Sequence, residues 1–184
     1  SPVFFVTVAL EGVSVVYTGA DVHADRFLTR DSASVGDKIA VTGSLGCSGG
    51  GLRMLTQGLG FDEETARHLR EAHHRPSPRV EPGMVMAQQG VAAAIDISDG
   101  LVEDLGKLCE ASGVAGVIRS ERVPADETLR AAYPDDWLSL ALSGGEDYEL
   151  LFTAAPGVMD VVEDLLDVPV SVIGEIVEGP PGVT

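Results

Sequence analysis

The chain predicts a layered α+β domain. Three observations carry that reading. Short strand-like runs and helical patterns are mixed without the strict alternation of a βα repeat. Several of the strand-like runs suit antiparallel pairing, being short, rich in β-branched residues and closed by Gly or Pro. No internal repeat of fixed period and no low-complexity tract interrupts the 184 residues, of which 45% are hydrophobic. That length and composition can bury the core of one domain, with room for an appended piece.

The elements follow in order. Pro2–Tyr17 is rich in Val, Phe and Thr and reads as one or two strands. It starts in mid-strand without turn or cap, so residues 1–20 are expected to be the remnant of a preceding domain. Residues 21–34 are polar, carry Arg26 and Arg30, and read as a connector. The domain proper is expected over 35–184. Val35-Gly36-Asp37 is a turn, and Lys38–Gly43 (KIAVTG) a short buried strand. Ser44–Gly51 is glycine-rich and reads as a flexible turn before a close-packed helix. Asp62–His74 has acids early and cations late, which complements a helix dipole. Arg75-Pro76-Ser77-Pro78-Arg79 stops that helix, since each proline restricts the residue before it. Met84–Gln89 reads as a short helix, Ala92–Ile97 as a strand and Asp99–Ala111 as a helix with Leu101, Leu105 and Leu108 on one face. Val114–Arg119 is a strand, Ala125–Tyr133 a short helix, Trp137–Leu142 an apolar segment and Ser143–Asp147 a loop. Tyr148–Ala154 is a strand, Gly157–Leu166 a helix and Val168–Val177 a strand; Gly179–Gly182 is expected to end the fold.

Composition excludes some functions. A formal net charge of −17 argues against nucleic-acid binding, which needs a basic surface. No apolar run reaches the ~18 residues of a membrane span, and no basic-then-apolar leader opens the chain. Cys47 and Cys109 are too few for a disulfide scaffold and lack metal-ligand spacing, so they read as buried thiols in a reducing cytoplasm. Only Lys38 and Lys107 are lysines, a composition that suits high internal salt.

Chemistry concentrates in AAAIDISDGLVEDL, residues 92–105. A small apolar strand ends in Asp96-Ile97-Ser98-Asp99-Gly100 where a helix starts. Such a junction offers backbone N–H groups and a positive dipole end to an anion, and carboxylate oxygens to a divalent cation. The bland alternative is a helix cap by Asp or Ser, worth ~1 kcal/mol. Three polar groups in four residues favour a functional role. Ser143-Gly144-Gly145-Glu146-Asp147-Tyr148 is the second candidate: its glycines permit close backbone approach, although a hairpin with solvated acids fits as well. Arg30, Arg75 and Arg79 are phosphate candidates because guanidinium binds phosphate bidentately; surface arginines are the competing reading. The segment GSLGCSGGG (43–51) could cradle phosphate but lacks the P-loop Lys-[Ser/Thr] ending. His23, His68, His73 and His74 form no metal set by spacing. Neither Ser98 nor Ser143 sits in a nucleophile motif.

Taken together, IDISDGL (95–101), EASGV (110–114) and ALSGGEDYELLFT (141–153) resemble the thiamine-monophosphate kinases. Arg75–Arg79 and VGDKIAVTGSLG (35–46) fit the same pattern and order. The resemblance implies a C-terminal domain of the aminoimidazole-ribonucleotide synthetase-like type: an α/β/α layering around a mixed, largely antiparallel sheet. It implies transfer of the ATP γ-phosphoryl group to thiamine monophosphate, giving thiamine diphosphate and ADP. It implies Mg²⁺ bound by Asp96 and Asp99, ATP contacts from Ser98 and from Arg30 in LTRDSA (28–33), and a thiamine-phosphate contact from Glu146. A phosphate acceptor is already ionised, so the reaction needs no general base. In that family an N-terminal domain pairs in a homodimer and supplies further aspartates. Those motifs are absent from the 184 residues, so this chain is expected to be inactive alone. It also ends before the aromatic residue that covers the family's substrate. Asp31 replaces a usual serine, and Gly49 and Gly50 replace common alanines. Two other functions fit the residues: another ATP-dependent phosphotransferase or synthetase of the same superfamily, and a non-catalytic nucleotide-binding module.

Overall fold

A computed structural model describes residues 28–184 together with Val6–Thr7 (β1) and Val15–Val16 (β2), which pair antiparallel. The remaining residues of the expected 1–20 remnant, and 21–27 of the connector, lie outside the described residues.

Six strands form one sheet in the order β4-β6-β3-β7-β5-β8. They are β3 (Lys38–Thr42), β4 (Ala93–Asp96), β5 (Ala115–Ile118), β6 (Leu150–Ala154), β7 (Val170–Val177) and β8 (Gly182–Val183). Every neighbouring pair is antiparallel except β5 with β8, so the sheet is mixed and largely antiparallel. The segment expected to end the fold therefore returns as an edge strand.

Alternation along the strands builds two cores. Ile39, Val41, Ile95 and Leu151 share one cluster with Leu101, Leu105 and Leu108 of α4 (Leu101–Ser112). Ala40, Ala94 and Phe152 lie on the opposite face, with Met86 of α3 (Val80–Gln89) and Met159 and Val162 of α7 (Pro156–Leu165). Helices thus cover both faces, as the layered fold class requires. Each fully buried leucine of α4 contributes about 1.5–3 kcal/mol relative to exposure. A third cluster joins α1 (Cys47–Gln57), α2 (Glu63–His74), α5 (Glu127–Ala132) and α6 (Trp137–Ser143) through Met54, Leu69, Leu129 and Tyr133.

Local chemistry explains the boundaries. Asp62 caps α2 by accepting the Thr65 N–H at 3.0 Å, and His73 and His74 end it. Helix α3 begins four residues before the expected Met84; Pro82 is tolerated because it falls in the first turn, where a backbone N–H would have no intrahelical acceptor. Helix α1 absorbs Gly49–Gly51, expected as a turn. A Cβ at Gly51 would collide with the Leu69 carbonyl of α2, so glycine lets the two helices touch.

Thr29 lies along the β4 edge. It bridges Ala93 in parallel, and the Ala94 N–H donates to the Thr29 carbonyl at 2.9 Å. The Ser112 hydroxyl, at the end of α4, donates to the Arg30 carbonyl at 2.9 Å and accepts the Ala33 N–H at 3.1 Å. Both cysteines are buried free thiols. Among the described residues no helix is long and apolar enough to cross a membrane.

Candidate phosphate and metal site

Two loops run side by side beyond the β4–β6 ladder. The Ile97 N–H donates to the Glu149 carbonyl, the Tyr148 N–H to the Ile97 carbonyl and the Glu146 N–H to the Ser98 carbonyl, each at 2.9 Å. Asp96, Ser98 and Asp99 are thereby drawn beside Glu146, joining two motifs almost fifty residues apart. Gly145 makes the approach possible. Its φ is +61°, and a Cβ there would lie 2.7 Å from the Ser98 carbonyl oxygen.

Asp104 organises the first loop. Its side chain is 1% exposed, and Oδ2 accepts the N–H groups of Ser98, Asp99 and Gly100 at 2.9, 2.9 and 3.2 Å. No side chain caps α4 at Gly100, so neither Ser98 nor Asp99 plays the helix-cap role weighed from sequence. The three N–H groups expected to greet an anion are occupied by Asp104. What this loop presents is carboxylate: Asp96, half-buried at the end of β4, and Asp99, exposed. Lys107 Nζ donates to Asp104 Oδ1 at 2.8 Å and to Asp99 Oδ2, with Glu103 3.6 Å away. Partial burial opposes its charge, but the hydrogen bonds to Asp104 and Asp99 win and hold its pKa above the usual lysine value.

The second loop is strained. Glu146 and Tyr148 are non-glycine residues at φ +59° and +52°. Such conformations cost about 1–3 kcal/mol each and persist where surrounding bonds over-determine them. The Tyr148 hydroxyl donates to Glu146 Oε2 at 3.2 Å. Partial burial raises the Tyr148 pKa, and the carboxylates of Glu146, Asp96 and Asp99 raise it further. The phenol therefore senses all three acids, which together make a negative field that a cation would neutralise.

The remaining acids of SGGEDYEL serve the fold. Asp147 accepts the Gly46 N–H at 2.7 Å and the Ser48 N–H at 3.2 Å, so a carboxylate fills the anion position at the start of α1. The glycine-rich segment accordingly offers no open phosphate cradle there. Burial raises the Asp147 pKa to about 6 against those two N–H bonds, and Glu149 adds to the rise. Glu149, also buried, accepts Thr42 Oγ1 at 2.6 Å and Arg79 Nε and Nη2 at 2.7 and 2.6 Å. Hydrogen bonding to Glu149 raises the Arg79 pKa above its ordinary value. Arg79 is an internal ion-pair partner, which corrects its reading as a phosphate ligand. Arg75 ends α2 and is exposed. The Arg30 main chain is fixed to Ser112, roughly 17 Å along α4 from Leu101 at 1.5 Å per residue. Its backbone lies beside β4, since the carbonyl of the preceding Thr29 accepts the Ala94 N–H two residues before Asp96. Sequence reasoning missed Asp104, Lys107 and Tyr148. The i, i+3 spacing of Asp104 and Lys107 was the available signal for the first two.

Known proteins resemble this chain in sequence and fold. The profile of AIR synthase related protein, C-terminal domain, matches residues 34–184. Thiamine-monophosphate kinase of Salmonella typhimurium is 41% identical over 160 residues, covering 84% of this chain and 49% of that protein. The crystal structure of thiamine-monophosphate kinase from Stenotrophomonas maltophilia K279a superposes with a TM-score of 0.80 at 37% identity, over 88% of this chain and 54% of that one. AaThiL complexed with AMPPCP and TMP gives 0.76 at 34% identity, over 87% and 50%. The chain spans about half the length of the curated relatives it matches. The matched domain takes in both loops of the acidic cluster and the whole six-stranded sheet, and on that ground the chain belongs to the AIR synthase related family as a C-terminal domain of it.

Proposed function

We propose that this chain forms part of a thiamine-monophosphate kinase, which transfers the ATP γ-phosphoryl group to thiamine monophosphate. The observation that carries the reading is the meeting of Asp96, Ser98 and Asp99 with Glu146 at one negative site, in a chain 41% identical to such a kinase. In the reaction an acceptor phosphate oxygen forms a bond to the γ-phosphorus while the bond to the β-phosphate oxygen breaks. The acceptor is already ionised, so the protein's work is positioning and charge neutralisation.

Asp96 and Asp99 are hard oxygen donors beside the further carboxylate of Glu146, and they fit Mg²⁺. Bound there, Mg²⁺ supplies charge neutralisation for the nucleotide phosphates. Asp99 would exchange its Lys107 contact for the cation, while Asp104 keeps the loop in place. The Ser98 hydroxyl would donate to a nucleotide phosphate. Glu146, fixed by its strained backbone, would contact the thiamine phosphate and complement its cationic thiazolium ring. Arg30 would meet the nucleotide from the connector. We further read the protein as a cytoplasmic homodimer with no nucleic-acid or membrane partner.

The test joins this chain to the N-terminal half of the Salmonella relative and follows ADP and thiamine diphosphate together. Equimolar formation of both, reduced at least 100-fold by Asp96→Asn, supports the reading. ATP hydrolysis without thiamine diphosphate, or phosphorylation of a different acceptor, refutes it.

A further inference from the structure

Away from the acidic cluster, three chemically distinct donors converge where α1, α2 and α5 meet. Cys47 opens α1, His68 lies mid-way along α2, and Asp126 immediately precedes α5. Cys47 Sγ is 3.8 Å from His68 Nε2, and Asp126 Oδ2 is 3.5 Å from the same nitrogen. The three donor atoms all lie within 4.8 Å of one another, and among the described residues this is the one such group that mixes thiol, imidazole and carboxylate.

Both neighbours address the same ring nitrogen. A Cys-His-Asp nucleophile relay would place the carboxylate on Nδ1 and the thiol on Nε2, so that arrangement is absent here. A neutral imidazole Nε2 either accepts from the thiol or donates to the carboxylate, and cannot do both. A cation between the three satisfies all of them at once. Metal–ligand lengths of ~2.3 Å for sulfur and ~2.0 Å for nitrogen and oxygen, at tetrahedral angles, give sulfur–nitrogen and nitrogen–oxygen separations of about 3.5 and 3.3 Å. These two observed separations exceed the ideal ones by only a few tenths of an ångström, and the sulfur–carboxylate separation lies within 4.8 Å. The surroundings also suit a metal site. Asp126 Oδ1 accepts the Thr128 N–H at 2.6 Å, which fixes the carboxylate and leaves Oδ2 facing the histidine. Cys47 is buried, whereas the His68 and Asp126 side chains are 43% and 29% exposed, leaving an entry path and a solvent-facing fourth position.

We infer that Cys47, His68 and Asp126 form a transition-metal site selective for Zn²⁺, with water as fourth ligand, that ties α1 to α2 and α5. A thiolate–imidazole–carboxylate set favours Zn²⁺ over the hard Mg²⁺ expected at Asp96 and Asp99. On binding, the Cys47 thiol proton passes to solvent and the sulfur coordinates as thiolate. The site is independent of the kinase reading.

The experiment titrates the 184-residue chain with Co²⁺ as a spectroscopic probe and then with Zn²⁺ in competition. One thiolate-bound Co²⁺ per chain, read from a near-ultraviolet thiolate-to-cobalt band and displaced by Zn²⁺, is expected. Cys47→Ser should abolish the band, His68→Gln and Asp126→Asn should weaken binding at least tenfold, and Asp96→Asn should leave it unchanged. Zn²⁺ at 100 times its Kd should shift the folding equilibrium about 100-fold toward the native state, reversibly with chelator. Circular dichroism identifies any variant that fails to fold, and the remaining variants then decide. Absence of the band at excess Co²⁺, or equal binding by folded Cys47→Ser, overturns the site.

Discussion

Asp104→Ala is the sharpest perturbation of the acidic cluster, because it removes no candidate ligand. The wild-type carboxylate accepts three backbone N–H groups and the Lys107 ammonium while almost wholly buried. Hydrogen bonds to a charged group contribute about 1.5–3 kcal/mol each. Simple addition overshoots, since Ser98 and Asp99 can turn their freed N–H groups to water. The Gly100 N–H cannot, being buried, and pays the full cost of ~1–3 kcal/mol for an orphaned donor. A loss of about 3–5 kcal/mol results, in line with breaking other buried charged contacts. Urea denaturation at neutral pH should show it as a lower midpoint at unchanged slope. Asp104→Asn keeps one acceptor oxygen and should lose roughly half as much. Hydrogen exchange should localise the effect to residues 98–100. A loss below ~1 kcal/mol for the alanine variant would refute the idea that Asp104 holds this loop.

Other perturbations follow from the same geometry. Asp147 titrates near 6 when folded and near 3.8 when unfolded, so the folded state binds more protons between those values. Its contribution is therefore intact at low pH and falls by about 3 kcal/mol as pH rises through 4 to 6. Asp147→Asn should remove that slope, and urea titrations of both proteins at pH 4 and 7 test it; parallel curves would contradict the assignment. Arg79→Leu strands buried Glu149 and should cost about 3–5 kcal/mol by thermal or urea melting, with Glu149→Gln relieving part of the loss in the double variant. Gly145→Ala places a methyl against the Ser98 carbonyl at positive φ and should cost at least ~1 kcal/mol while separating the two loops, visible as changed amide shifts at Ser98 and Glu146.

Much of the fold was legible. The leucine spacing of α4, the Asp62 cap of α2 and the short apolar strands are local signals that tertiary contacts reinforce. The paired strand KIAVT and its neighbours carry their own alternation. What was illegible depends on distant partners. Nothing near Gly49–Gly51 announces that α2 will press against them, so a helical start looks like a loop. Arg79 and Glu149 are seventy residues apart, and an arginine between prolines gives no hint of a buried partner. Asp147 caps a helix a hundred residues earlier. Asp104 resembles any acid in a first helical turn until the loop folds back over it. The Cys47, His68 and Asp126 convergence has no ligand spacing along the chain, because α1, α2 and the residue before α5 supply it.

The central claim is that Asp96 and Asp99, set against Glu146, hold Mg²⁺ and nucleotide phosphate. Calorimetric titration of AMPPCP into the protein tests it most directly, with and without Mg²⁺, for the wild type and for Asp96→Asn. Binding that requires Mg²⁺ and falls at least tenfold in Asp96→Asn, with the fold intact by circular dichroism, is the predicted result. Nucleotide binding of equal strength without Mg²⁺, or unaltered by Asp96→Asn, would contradict the account.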